Sequence, residues 1–209
     1  MLQIKNVDLT FLKGTVDEKK ALRGLNLDLK KGDFVTVIGG NGAGKSTMLN
    51  AITGACQVDC GSIVLDGTDV TRLKEYKRAK FISRVFQDPL LGTAANMNIE
   101  ENLALAARRG MRRGLKWGIK KDELEEYKKM LAGLELGLEN RTGQKVGTLS
   151  GGQRQALTLL MATIRKPELL LLDEHTAALD PKTAKKVLDL TEKIVDEQGL
   201  TAIMITHNM

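Results

Sequence analysis

The sequence predicts an α/β fold in which a mostly parallel sheet is flanked by helices. Strand-like and helix-like patterns alternate along most of the 209 residues, and such alternation is typical of parallel sheets covered by helices. Two continuous apolar runs, at 34–38 and 169–172, predict strands that are buried on both faces. The length suffices for one large domain or two small ones.

The individual elements follow from periodicity and from helix-breaking residues. Residues 21–29 alternate apolar and polar side chains, as a half-buried strand does. Pro181 stands where proline favours the first turn of a helix, and glycines at 110, 114 and 118 divide a long helical stretch that looks like an insert. The predicted strands cover residues 2–9, 21–29, 34–38, 62–65, 81–86, 169–172 and 201–206, and the predicted helical stretches cover 99–136, 150–164 and 181–196.

A glycine-rich loop follows the strand at 34–38 and fits G-x-x-x-x-G-K-[ST], the pattern that wraps the phosphates of a nucleoside triphosphate. The loop consists of Gly39, Gly40, Asn41, Gly42, Ala43, Gly44, Lys45 and Ser46. Its glycines allow positive φ angles that turn backbone N–H groups toward an anion. Lys45 adds a charge for the β- and γ-phosphates, Ser46 can bind Mg²⁺, and the helix that begins here directs its positive end at the nucleotide. The alternative is a plain glycine-rich turn.

The apolar run at 169–172 ends in Asp173 and Glu174. In nucleoside triphosphatases with such a phosphate loop, a carboxylate at the end of a buried strand serves Mg²⁺, usually through water. Glu174 is placed to polarise a water for attack on the γ-phosphate. The alternative is a solvated acidic turn at a strand end. The phosphate loop favours the catalytic interpretation.

A second glycine-rich helix start consists of Ser150, Gly151, Gly152 and Gln153. It could also bind an anion through its backbone N–H groups. A single γ-phosphate leaves little room for two such helix starts from one chain. Two chains arranged head to tail would solve this problem, because each could offer this segment to the nucleotide of the other. The alternative is a simple helix cap, in which Ser150 and Gln153 form a capping box.

Taken in order, these motifs resemble the nucleotide-binding domain of an ABC transporter. The sequence has the phosphate loop at 39–46, Gln87 within 85–89, Leu-Ser-Gly-Gly-Gln at 149–153, the acidic strand end at 169–174, Asp180 within 178–180, and His207. The resemblance spans essentially the whole chain. It implies a P-loop NTPase-type sheet with an antiparallel β subdomain and a helical subdomain that carries the signature. We expect one domain over 1–209, with a core of about 1–90 and 160–209 and a helical part of about 91–159.

The resemblance also implies roles for individual residues. Lys45 and the loop amides up to Thr47 would bind the phosphates of ATP, and Ser46, Gln87 and Asp173 would serve Mg²⁺ or its water shell. Glu174 resembles the catalytic base and His207 the switch histidine that contacts the γ-phosphate, with Lys45 and Gln87 assisting. Signature residues that would close on the partner's ATP are Ser150, Gly151, Gly152 and Gln153.

Two further roles are implied less directly. Asp180 would communicate across the dimer. Phe11 is the candidate for stacking on adenine, because it precedes the second predicted strand, with an ordinary core or surface phenylalanine as the alternative.

The sequence departs from the family pattern at two places. His175 stands where relatives more often carry a small residue, and we expect it to pack against the neighbouring turn, with a bond to the sugar-phosphate side of the nucleotide as the alternative. The sequence stops two residues after His207, whereas relatives normally continue through further strands and a helix. We therefore expect a truncated C-terminal end.

Charge and cysteine content indicate which ligands and which cellular compartment suit the chain. The net charge of +6 suits an anionic ligand, nucleic acid or an anionic membrane surface. A basic run around Trp117 is interpreted as a solvated face, with contact to lipid headgroups or to the membrane subunit as the alternative. Its members are Arg108, Arg109, Arg112, Arg113, Lys116, Lys120 and Lys121. Cys56 and Cys60 predict reduced, structurally inert thiols, with a disulfide as the alternative, and favour the cytosol.

The resemblance implies an ATPase that powers a separate membrane permease. The implied partners are transmembrane permease subunits, a second copy of this chain in a homodimer, and an extracellular substrate-binding protein. No apolar run reaches the length of about 20 residues that spans a bilayer. The resemblance implies a peripheral protein on the cytoplasmic face of a bacterial membrane.

Alternative functions remain open from the sequence. Residues 14–22 resemble cassettes of lipoprotein release and macrolide-type export, whereas 92–94 and 174–178 resemble importers of amino acids or related small solutes. Import is favoured. A soluble ABC ATPase acting on nucleic acid or ribosomes is disfavoured, because such proteins usually carry two cassettes or a long coiled-coil insertion, and no nucleic-acid partner is expected. The signature at 149–153 argues against a plain P-loop kinase.

Overall fold

The chain folds into two four-stranded sheets in the computed structural model, which describes residues 1–111 and 118–206. One sheet is antiparallel and has the strand order β2-β1-β4-β5, and the other is parallel and has the order β3-β8-β7-β6. The strands are β1 (Leu2–Phe11), β2 (Lys19–Leu29), β3 (Phe34–Ile38), β4 (Cys60–Leu65), β5 (Thr68–Asp69), β6 (Ile82–Val85), β7 (Leu169–Asp173) and β8 (Thr201–Thr206). The predicted α/β fold with an antiparallel β part is confirmed.

Helices separate and cover the sheets. They are α1 (Lys45–Thr53), α2 (Glu75–Arg78), α3 (Ile99–Ala107), α4 (Lys121–Ala132), α5 (Gly151–Thr163) and α6 (Pro181–Gln198), with short 3-10 turns at Pro89–Gly92, Leu138–Asn140 and Val146–Thr148. The long helical stretch predicted over 99–136 therefore contains α3 and α4. A break falls at Gly110, where φ is +76° and a Cβ atom would lie 2.7 Å from Cβ of Lys80.

Three apolar clusters form the core of the described part of the chain. The first contains residues of α1 and of strands from both sheets, among them Leu49, Leu2 and Leu171. In the second, α5 and α6 cover the opposite face of the parallel sheet. The third joins α3, α4 and the middle of α5 within the helical part of the chain. The phosphate-loop helix α1 therefore takes its position from two sheets at once.

One expectation about burial is wrong for the described residues. The sequence predicts burial of the run at 34–38 on both faces, but Phe34 is 40% exposed and Ile38 is 51% exposed, while Val35 and Val37 pack against the core. The reason is position, because β3 lies at the edge of the parallel sheet. The run at 169–172 lies in a central strand and is fully buried, as predicted.

The strand β5 is absent from the sequence prediction. It pairs with β4 across the turn at Asp66 and Gly67, whose φ angles are +46° and +77°. Positive φ at both central residues is the requirement of a tight type I′ hairpin turn. The sequence indicated the turn that closes β4, but a strand of two residues is too short to show alternation.

Candidate nucleotide-binding site

The parallel sheet brings the phosphate loop and the acidic strand end to one edge. Ile38 at the end of β3 pairs with Thr206 of β8, and Asp173 at the end of β7 pairs with Ile205. Since the carboxyl ends of parallel strands share an edge, the loops that follow β3 and β7 meet there. Residues more than 120 positions apart in the sequence thus lie at one edge of the sheet.

A cavity of about 200 Å³ lies at this edge. It brings together most of the predicted phosphate loop, the predicted base Glu174 and the proposed stacking residue Phe11. The lining residues are Phe11, Lys19, Ala21, Asn41, Gly42, Ala43, Gly44, Lys45, Ser46, Thr47 and Glu174. Phe11 is 37% exposed, which leaves ring surface available to a ligand at the cavity wall.

The loop requires glycine at its last turn. Gly42 and Gly44 have φ angles of +80° and +88°, and a Cβ atom on Gly44 would lie 2.8 Å from the carbonyl oxygen of Ala21. Gly44 is also the N-terminal cap of α1. The backbone of the loop approaches β2 so closely at Gly44 that no side chain fits there, and α1 begins directly afterwards at Lys45.

Lys45 is oriented by the loop itself. Its side chain is largely buried, and its Nζ donates hydrogen bonds to the carbonyl oxygens of Gly39 at 2.6 Å and Gly40 at 3.1 Å. The ammonium group therefore lies over the loop that the motif assigns to phosphates. Ser46 follows on the exposed side of the first turn of α1 and lines the same cavity.

Glu174 has a backbone conformation that side chains rarely adopt. Its φ angle is +46°, and its N–H group donates to the carbonyl oxygen of Ile205 at 3.1 Å. Backbone strain of this kind persists where surrounding contacts enforce it and often occurs at functional sites. The turn directs the chain away from β7 immediately after Asp173.

Asp173 forms an ion pair that the sequence did not indicate. Oδ2 of Asp173 accepts a hydrogen bond from Nη2 of Arg84, and Nη1 of Arg84 donates to Oδ1 of Asn50 at 2.6 Å. Arg84 belongs to β6, the neighbour of β7. A basic residue within a short apolar strand was the available signal, but only the pairing of β6 with β7 connects it to Asp173.

The donor atoms fit a magnesium ion shared with a nucleotide. Ser46 offers a hydroxyl oxygen and Asp173 a carboxylate, and hard oxygen donors are what Mg²⁺ prefers. Within residues 1–111 and 118–206 there is no group of three or more His, Cys, Asp or Glu side chains that could hold a metal. Such a site suits an ion that takes its remaining ligands from phosphates and water.

Gln87 and Asp173 do not line the cavity that contains Lys45. Gln87 is exposed just beyond the end of β6, and Asp173 is 8% exposed. The predicted magnesium residue Ser46 is thus on the cavity wall, whereas these two stand beside it at the strand ends.

The signature segment begins α5 with a capping box. Oγ of Ser150 accepts from the N–H of Gln153 at 3.3 Å, and Oε1 of Gln153 accepts from the N–H of Ser150 at 3.2 Å. The helix-cap interpretation is therefore confirmed as local structure. Ser150, Gly152 and Gln153 line a separate cavity of about 510 Å³ between α5, α6 and the end of α4. In one chain the phosphate loop and the signature therefore line different cavities.

Asp180 has a structural role at the start of α6. Its Oδ1 accepts from the N–H of Thr183 at 3.1 Å, and hydrogen bonds from Thr183 lower the pKa of the carboxyl group. Asp180 itself is exposed. It is thus the N-cap of α6, in the way that aspartate commonly caps helices.

His175 is a packed residue of the core. It is 2% exposed, and its Nε2 lies 3.1 Å from Oγ1 of Thr191, which donates its own proton to the carbonyl oxygen of Val187 at 2.7 Å. Nε2 of His175 must therefore be the donor. Burial lowers the pKa of His175 to about 4. The packing interpretation is supported, and the other histidine, His207, lies outside the described residues.

The basic run is not one solvated face. Arg108 donates to both carboxylate oxygens of Glu123 at 2.9 Å. Arg109 donates to the carbonyl oxygen of Ala162 at 3.2 Å, and burial lowers its pKa. The expectation is thus wrong for these two arginines, because they join α3 to α4 and α5. Lys120 and Lys121 are exposed, and Arg112, Arg113, Lys116 and Trp117 lie outside the described residues.

Both cysteines are free thiols. Sγ of Cys60 lies 3.1 Å from Oδ2 of Asp8, and this hydrogen bond raises the pKa of the thiol. A raised pKa disfavours the reactive thiolate, which agrees with the predicted inert thiol at Cys60. None of the helices in the described parts of the chain has the length and apolar character to cross a membrane.

A parallel sheet whose carboxyl edge carries a phosphate loop and an acidic strand end defines a P-loop nucleoside triphosphatase. Residues 22–177 also match the family model described as ABC transporter. The chain therefore belongs to the ABC transporter family, as an ATP-binding cassette with ATPase chemistry, and the resemblance stated from its motifs is confirmed.

Individual relatives agree with this assignment. The chain is 46% identical over 209 residues to the tyrosine transport ATP-binding protein of Clostridioides difficile, covering 100% of this chain and 83% of that protein. It is 35% identical over 212 residues to methionine import ATP-binding protein MetN 1 of Bacillus cereus, covering 100% of this chain and 58% of that protein. Among solved structures, the dimeric ATP-binding cassette MJ0796 in a post-hydrolysis state, bound to ADP and Pi, matches with a TM-score of 0.83, 31% identity and coverage of 100% of this chain and 88% of that one.

Proposed function

We propose that the chain is the ATPase subunit of a bacterial importer for an amino acid or a related small solute. Two copies close head to tail around two Mg-ATP, and hydrolysis lets them separate. The similarity to a tyrosine transport protein and to a methionine import protein supports the importer assignment. Both relatives are named as ATP-binding proteins of transport systems, so solute selection is assigned to other subunits.

One observation carries the head-to-tail arrangement. The phosphate loop and the signature segment line separate cavities of the same chain, and both are starts of helices with orphan backbone N–H groups. In a head-to-tail dimer, the signature segment of one copy, which begins at Ser150, would lie against the phosphate-loop cavity of the other copy. The dimeric state of the relative MJ0796 with ADP and Pi supports this arrangement.

The proposed cycle assigns roles as follows. Lys45 and the loop amides bind the phosphates, Ser46 and Asp173 serve Mg²⁺ with Gln87 at its water shell, and Glu174 activates the attacking water. The magnesium ion, when bound, neutralises charge on the transferring phosphoryl group. Asp180 and His207 complete the contacts around the γ-phosphate and the partner, and Phe11 stacks on adenine.

A permease is the proposed membrane partner. Leu90 and Leu91, which follow Gln87 in the sequence, are 47% and 71% exposed, and Leu105 of α3 is 47% exposed. Leu105 also lines a cavity of about 290 Å³ between β6, α3 and α5. Exposed apolar side chains beside a groove favour contact with another protein, and we propose that a permease subunit at the cytoplasmic face binds there, with a substrate-binding protein on the outer side.

Ser150→Arg tests the shared site. A large charge at this position should block the signature from approaching the partner's nucleotide, so steady-state ATP hydrolysis should fall by about 100-fold or more, in the range found when one transition-state contact is removed. Binding of ATP to the monomer should change less than twofold. Normal hydrolysis would refute the shared site.

Gly143→Arg is the matched control for this substitution. Gly143 lies on an exposed turn with open space around it, so the same added charge should leave hydrolysis unchanged. Co-purification with a polytopic membrane protein tests the permease assignment, and co-purification with RNA instead would contradict it.

A further inference from the structure

We propose that Arg84 is a positioning residue for the carboxylate of Asp173. In the nucleotide-free protein Arg84 is ion-paired with this carboxylate, and it releases the carboxylate when Mg-ATP binds. Arg84 thereby sets the concentration of Mg²⁺ that nucleotide binding requires. The inference rests on the proposed nucleotide chemistry and adds a residue outside the phosphate loop, the signature and the acidic strand end.

The contacts of Arg84 join three elements of the site. Its guanidinium donates to Oδ2 of Asp173 on β7 and to Oδ1 of Asn50 on α1, the helix that begins at Lys45. The same guanidinium lies over the ring of Phe86, 4.9 Å from its centroid. Arg84 is therefore fixed between the strand that ends in Asp173 and the helix that carries Ser46.

The pair is sheltered from water. The side chains of Arg84 and Asp173 are 14% and 12% exposed, whereas pairs on the surface of this chain are far more open, as Lys128 and Glu125 are at 40% and 65%. Attraction between opposite charges grows as solvent is excluded. An arginine on the carboxylate therefore lowers the tendency of Asp173 to accept another cation.

Magnesium and Arg84 would compete for the same group. The hydrogen bond from Arg84 engages Oδ2 of Asp173, so a divalent ion bound to the same carboxylate would lie close to the positive guanidinium. Repulsion between the two cations favours release of the arginine. Asn50 offers a second acceptor that keeps the released guanidinium on α1.

The test is Arg84→Gln, measured as binding of a fluorescent ATP analogue in a Glu174→Gln background that prevents turnover. Magnesium is titrated at a fixed analogue concentration, and a parallel titration uses EDTA without magnesium. We expect the magnesium concentration at half-saturation to fall by about tenfold. This is the effect expected when one partly buried positive charge, that of Arg84, no longer repels the magnesium ion. Affinity in EDTA should change less than twofold. An unchanged or higher magnesium requirement would overturn the proposal.

Three further variants separate competition from general damage. Arg72→Gln removes a part-buried arginine that donates to the carbonyl oxygen of Val58 away from Asp173, and it should leave the magnesium requirement unchanged. In a background with Asp173→Asn, adding Arg84→Gln should no longer shift the requirement. A full shift in that background would show that Arg84 does not act through Asp173.

Arg84→Lys keeps the proposal falsifiable if Arg84→Gln does not fold. A lysine retains the charge but cannot contact Asp173 and Asn50 together, so the magnesium requirement should fall by a smaller factor, about twofold to threefold. No decrease would contradict the proposal.

If the parent protein fails to bind the analogue at all, the proposed nucleotide function fails. If it binds with a magnesium requirement that Arg84 substitutions leave unchanged, only this inference fails.

Discussion

At the scale of single residues, the guanidinium of Arg78 closes the carboxyl end of α1. Arg78 is 1% exposed and donates to the carbonyl oxygens of Ala51 and Ile52 at 2.8 Å, and to those of Thr71 and Leu73 at 2.9 Å. Burial lowers the pKa of this arginine. The carbonyl groups at a helix end need such partners, so Arg78 stabilises the helix that presents Lys45.

Arg78→Met should therefore be strongly destabilising. Loss of the donor leaves several buried carbonyl groups without partners, and we expect a decrease of about 3 kcal/mol in the free energy of unfolding. Urea denaturation measures it. Arg141→Met, at an exposed position, is the control and should change stability by about 0.5 kcal/mol or less. Equal effects of the two substitutions would contradict the assigned role.

His175 makes stability depend on pH. Its pKa is lowered to about 4 in the folded protein from about 6.5 in an unfolded chain, so the unfolded state binds more protons between these values. Stability should therefore fall as the pH decreases from 6.5 to 4. His175 alone should remove about 2 kcal/mol between pH 7 and pH 5.

His175→Gln tests this contribution, because a glutamine amide can donate to Thr191 and does not titrate. Urea unfolding at pH 7 and pH 5 should show a smaller loss of stability in the variant than in the parent. An identical loss in both proteins would show that His175 is not the group responsible.

At the scale of secondary structure elements, α5 and α6 approach each other at Gly152. A Cβ atom on Gly152 would lie 2.2 Å from Cγ2 of Thr183, which is far inside van der Waals contact. Gly152→Ala should therefore push the two helices apart and destabilise the nucleotide-free protein by about 1–3 kcal/mol, the usual cost of overpacking.

Thr183→Ser removes the obstructing methyl group and should restore much of the stability lost in Gly152→Ala. Thermal unfolding of the two single variants and the double variant measures the coupling. Gly143→Ala, where open space surrounds the glycine, is the control and should not destabilise. Simple additivity of the two substitutions at 152 and 183 would contradict the proposed contact.

The elements also show what the sequence can and cannot predict. The central strand β7 was predicted correctly because its apolar run is buried on both faces. The same kind of run in β3 gave a wrong prediction of burial, because position at a sheet edge depends on which strands pair. Local patterns fix the type of an element, whereas burial depends on partners distant in the sequence.

At the scale of the whole molecule, the phosphate loop, Glu174 and the signature could be proposed from the sequence because each belongs to a local motif. Arg84 and Arg78 were not, since their partners Asp173 and Ala51 lie 89 and 27 residues away. Their roles arise only when β6 and α2 pack against α1 and β7. Separate cavities for the phosphate loop and the signature likewise appear only in the folded chain.

Glu174→Gln gives the most direct measurement of the shared site. Without an effective base, ATP should be bound and retained, so purified variant protein in Mg-ATP should sediment as a dimer and return to a monomer when ATP is replaced by ADP. In the parent protein, the rate of ATP hydrolysis per chain should increase with protein concentration. A variant that stays monomeric in saturating Mg-ATP, together with a parent whose rate per chain is independent of concentration, would contradict the account.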